Sequence, residues 1–137
     1  MRPTRDGNVF PFKKKTTPKM KKTPLVNAII EGLQDSKARR VVVADLTGIP
    51  NTICKYMIIC EGNSNTQVSS IATNTREFVR ENAGEKPMAM EGFENCEWIV
   101  MDYADTMVHV MQREPRAFFD LEHLWSDAAL EEIEDLP

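Results

Sequence analysis

Two short, unbroken apolar runs constrain this chain more than anything else in it: Val41-Val42-Val43-Ala44, carried through Asp45 to Leu46, and Tyr56-Met57-Ile58-Ile59-Cys60. A strand with one wet face alternates apolar and polar residues, so a continuous β-rich run implies a strand covered on both faces. Thr47-Gly48 stops the first run and Gly62-Asn63 the second. A chain with two such strands must build a sheet with material layered on either side. Its 137 residues suffice for one domain of this kind and not for two.

Helical spacing supplies the layers. Thr23 can cap a helix and Pro24 suits its first position, where a missing N–H costs nothing. Leu25, Val26, Ile29, Ile30 and Leu33 then share one face, predicting a helix to about Ser36. Ser64 and Gln67 form an S-x-x-Q capping box ahead of Val68, Ile71, Ala72, Thr75, Phe78 and Val79, and Gly84 marks the end of that second helix. Residues 87–90 read as a short strand before a turn at Glu91-Gly92. A third helical stretch is predicted from Glu114-Pro115 through Phe118, Phe119, Leu121 and Leu124 to Trp125, with His123 packing inside it. The acidic end from Ser126 is predicted to fray. The sum is an α/β domain with a mixed sheet of about five strands and flanking helices packed mainly on one face.

Between these elements lies the clearest hairpin, 96–102 and 105–111, with Tyr103-Ala104 expected at its tip. Counting from that tip pairs Asp102 with Asp105, Val100 with Met107 and Trp98 with His109. One face then shows Ile99, Met101, Thr106, Val108 and Val110, fit to lie under helices. The other shows Trp98, Val100, Asp102, Asp105, Met107, His109 and Met111. Three readings of this second face compete: a further core layer, a protein-binding face, or a catalytic or metal site on Asp102, Asp105 and His109. Tryptophan and methionine are enriched in interface cores, and rim charges steer a basic partner, which favours the second. Four residues of strand separate His109 from Asp105, about 13 Å at ordinary rise, which argues against a three-ligand site. No catalytic residue, metal ligand or cofactor is expected.

Charge narrows the function classes. Residues 1–22 carry a net +7, residues 23–125 a net −6 and residues 126–137 a net −5. An all-over basic nucleic-acid binder is excluded, while a basic arm attached to something else is not. That arm is too polar to bury a core and is expected to be disordered when free. The apolar runs are far short of the roughly 20 residues needed to cross a bilayer. Cys54, Cys60 and Cys96, odd in number and without a CxxC pair, suggest reduced thiols and a cytoplasmic setting.

Taken in order, several segments resemble the ribosomal silencing factor family, also called Iojap-like. They are Asp45-Leu46-Thr47-Gly48, Tyr56 to Ser64 with Gln67-Val68, Glu91-Gly92, Trp98 to Asp105 with His109-Val110, and Phe119 to Asp127. The resemblance covers about residues 24–128, with Ala104 where the family usually has Gly. It implies a sheet related to the nucleotidyltransferase fold without that fold's chemistry. It also implies binding to the large ribosomal subunit through its protein number fourteen, blocked joining of the small subunit, and a homodimer when free. On that reading a patch centred on Trp98 docks, with Met107 and His109 on the same face and Glu91, Asp102, Asp105 and the Tyr103 hydroxyl at its rim. Alternatives are a large-subunit assembly factor whose arm, residues 1–22, contacts ribosomal RNA, and a metal-dependent nucleotidyltransferase. Residues 23–126 would form the domain, between the basic arm and the acidic tail 127–137.

Overall fold

Six strands form one mixed sheet in this computed structural model, which describes residues 20–125 and 127–136. The strands are β1 (Arg39–Asp45), β2 (Tyr56–Gly62), β3 (Ala89–Glu91), β4 (Trp98–Asp102), β5 (Thr106–Gln112) and β6 (Ala129–Ile133). Their order across the sheet is β3-β4-β5-β2-β1-β6. The two unbroken apolar runs became β1 and β2, side by side in the middle. β2 is buried at every position, with β1 antiparallel on one flank and β5 parallel on the other.

The helices α1 (Pro24–Asp35) and α2 (Asn65–Ala83) lie together on one face. Both begin where the caps foretell. Thr23 Oγ1 accepts the Val26 N–H at 3.1 Å, and Ser64 Oγ accepts the Gln67 N–H at 3.1 Å, while the Gln67 side chain takes the Asn63 N–H. Ile29, Leu33, Val68 and Ile71 meet Val43, Ile58, Ile99, Met101, Val108 and Val110 in the main core. The opposite face holds a smaller cluster of Leu46, Met57, Ile59 and Met111, roofed by Leu121, Trp125 and Leu130.

Four expectations need correction. The sheet has six strands because the acidic end does not fray. Residues 129–133 pair antiparallel with β1, Leu130 and Ile133 pack on opposite faces, and Lys22 meets Glu131 at 2.6 Å. Backbone pairing along an edge tolerates the charges that made this segment look unfolded. Second, the helix predicted from 114 to 125 stops at Phe119 as α3 (Arg113–Phe119), because Asp120 turns left-handed at φ 49° before a 3-10 turn at Leu121–His123. His123 is therefore exposed beside Asp120 and not packed.

Third, the hairpin register is shifted by two. Trp98 opposes Met111, Val100 opposes His109 and Asp102 opposes Met107, with Ala104-Asp105 at the tip. An even shift leaves every side chain on its predicted face. Ala104 sits at φ 76° inside a tight turn in which the Asp105 N–H reaches the Tyr103 carbonyl at 3.1 Å, a conformation costing a residue with a Cβ about 1–2 kcal/mol. Fourth, Met20, Lys21 and Lys22 at the end of the basic arm are placed against the domain, where the Lys21 carbonyl accepts from the Tyr56 hydroxyl. The rest of the arm, residues 1–19, with its expected disorder and RNA contact, lies outside the described residues.

Candidate functional site

Trp98 opens β4 and points away from the two long helices. Its indole N–H donates to Nδ1 of His109 at 3.0 Å, a diagonal bond across the hairpin. Phe119 packs on its other side at a centroid distance of 4.9 Å and a tilt of 46°. Phe118 meets Phe119 edge to face at 5.0 Å. The four rings make a continuous ladder from the sheet to the tip of α3, increasingly exposed outward: Trp98 half-buried, Phe119 49% exposed and Phe118 82%.

His109 holds the ladder's inner end. Burial pushes its pKa down to about 4, so at neutral pH it is uncharged and its Nδ1 is free to accept. A value depressed below the unfolded one means that the unfolded chain takes up a proton first as pH falls. Stability contributed by neutral His109 is complete above about pH 6.5 and declines as pH drops toward about 4. Imidazole titration by NMR should show His109 unprotonated until about pH 4, and His109→Gln should flatten the pH dependence of melting across that window. A titration near 6.5 would contradict the buried bond to Trp98.

The other predicted site residues separate. Val100 and Met107 lie half-buried beside His109 on the same face, and Glu91 of β3 stands opposite Val100, exposed. Asp102 and Asp105 are not paired. Asp102 accepts the Ala104 N–H at 2.8 Å, and Asp105 accepts the Thr106 hydroxyl at 3.1 Å. Each carboxylate shapes the turn while keeping charge at the rim. Tyr103 is displaced altogether: the strand's alternation turns its ring into the core under the helices, 5% exposed, where burial pushes its pKa up to about 12. Its hydroxyl cannot rim the patch. Among the described residues, no three His, Cys, Asp or Glu side chains stand together as a metal site.

What sequence reading missed lies on α3. Arg116, 3% exposed, donates to the Arg40 carbonyl at 2.6 Å and to Glu122 at 2.9 Å, and lies 3.6 Å from Glu61. The register of β1 against β2 shifts between Arg39 and Val42, and Arg40 there adopts φ 52°. A signal existed: Glu61 stands next to last in an otherwise apolar, wholly covered strand, and a buried carboxylate needs a cation, here Arg40 at 3.1 Å and Arg116 at 3.6 Å.

A family profile described as "Ribosomal silencing factor during starvation" matches residues 18–137. The ribosomal silencing factor RsfS of Halalkalibacterium halodurans is 35% identical over 115 residues, covering 84% of this chain and 97% of its own. That of Bacillus subtilis is 36% identical over 100 residues, covering 73% and 83%. A crystal structure of a Chromobacterium violaceum protein aligns with a TM-score of 0.69 at 32% identity, covering 74% of this chain and 83% of the other. One from Bacillus halodurans aligns at 0.65 and 32% identity, covering 80% and 96%.

Proposed function

This chain belongs to the ribosomal silencing factor family, and from that premise we propose that it binds the large ribosomal subunit and sterically prevents the small subunit from joining. Docking is on the subunit's protein number fourteen, at the face the two subunits share. The action requires no chemical step and no cofactor: the domain represses translation by occupying space. In the cytoplasm the free chain is a homodimer.

The observation that carries this reading is the half-buried Trp98, fixed by His109 on one side and Phe119 on the other. An aromatic side chain held in one orientation loses little entropy on docking, which is what binding anchors require. Met107 offers an adaptable apolar contact beside it. The carboxylates of Glu91, Asp102 and Asp105 suit a basic ribosomal protein and should govern association rate and salt dependence more than the strength of the final contact.

Co-sedimentation with isolated large subunits tests this. Trp98→Ala together with Asp102→Asn should lower affinity on the order of thirtyfold, since an anchor of this type contributes about 2 kcal/mol or more. Asn at 102 keeps an oxygen for the Ala104 N–H, so the turn should survive. A folded double variant that binds like the wild type would remove Trp98 from the docking surface.

A further inference from the structure

We propose that the apolar anchor of the docking surface extends from Trp98 onto the Phe118–Phe119 pair on α3, seated on a cationic protein surface. This rests on the large-subunit reading above and names the residues that grip. Trp98 is half-buried under Phe119 and presents only part of its ring, whereas Phe118 is 82% and Phe119 49% exposed. Phe118, left almost wholly in water on a seven-residue helix, gains little from the fold itself, and Phe119 gains only what it buries against Trp98.

The helix that carries them is nonetheless fastened. Arg116, two residues before Phe118, meets Glu122, Glu61 and the Arg40 carbonyl, so α3 is tied to the ends of the two central strands. The charge along this part of the chain points to the occupant. Residues 91–127 carry nine acidic side chains against two arginines, and one of those, Arg116, is buried between carboxylates. Such a field repels the phosphates of RNA and attracts a basic protein.

The experiment measures binding of the full chain to isolated large subunits, with melting and oligomeric state recorded in parallel. Phe118→Ala should melt like the wild type, because its ring is exposed, yet bind on the order of ten- to thirtyfold more weakly. Phe118→Leu should restore much of the loss. If the wild type binds and Phe118→Ala binds equally well, the anchor does not extend onto the pair, while the large-subunit reading stands. If the wild type does not bind large subunits at all, both fall. If Phe118→Ala loses self-association but keeps subunit affinity, the pair belongs to contact between copies and the proposal is overturned.

Discussion

Gly92→Ala is expected to lower the melting temperature by about 10 °C or more and to disturb the fluorescence of Trp98. Gly92 follows β3 at φ 107°, a conformation that side chains rarely adopt. A Cβ there would stand 2.0 Å from the Trp98 carbonyl oxygen and 3.0 Å from the Ile99 Cα. Both are backbone atoms of the adjoining strand, so no rotamer change relieves the overlap. Strain in φ and the forced separation of two strands together cost at least about 3 kcal/mol. The damage should centre on the docking face, since β3 carries Glu91 and the displaced atoms belong to Trp98 itself. A variant melting within two or three degrees of the wild type would show that β3 does not approach β4 this closely.

Arg116→Met should cost about 3–5 kcal/mol in urea unfolding. The substitution roughly preserves volume while stranding the covered Glu122, at 11% side-chain exposure, and the Arg40 carbonyl, and it leaves Glu61, at 9%, with only the exposed Arg40 guanidinium at 3.1 Å. Removing one member of a buried ionic network is far more damaging than removing all of them, because the leftover charges have no water to return to. The triple variant Arg116→Met, Glu61→Gln, Glu122→Gln should therefore regain most of the lost stability. It should not regain full subunit affinity, since α3 would no longer hold Phe118 and Phe119 in one place. A single variant unfolding within 1 kcal/mol of the wild type would mean that the network does not fasten α3.

The contrast between these two sites explains which parts of the molecule were legible beforehand. Thr23 and Ser64 announced helix starts because a cap acts on N–H groups two or three residues away, and the partners are fixed by chain geometry alone. The faces of β4 and β5 were legible even though their register was two residues off, because side-chain alternation has period two. The tip was misplaced because the tight turn actually used puts Ala104 at positive φ, where glycine would have been the readable signal. That same displacement dissolved the expected Asp102–Asp105 pair.

Long-range partners left weaker traces. Residues 129–133 resemble a solvated acidic end until β1 supplies a backbone ladder and Lys22 a counter-charge, both from the far end of the chain. Phe118 and Phe119 are predicted inside a helix running on to Trp125, and the left-handed turn at Asp120 instead leaves them at the end of a short one, exposed. Tyr103, counted as part of the rim, went inward for the opposite reason, its position in the alternation placing it beneath α2.

By itself, the sequence determined the α/β class, the central position of β1 and β2, the faces of the hairpin and, through its ordered motifs, the family, because each depends on local periodicity or on residue order. Tertiary structure alone decided which aromatic rings meet solvent and which buried charge fastens α3. Those outcomes depend on which distant segment arrives to cover or pair a side chain, and no periodicity along the chain encodes that arrival.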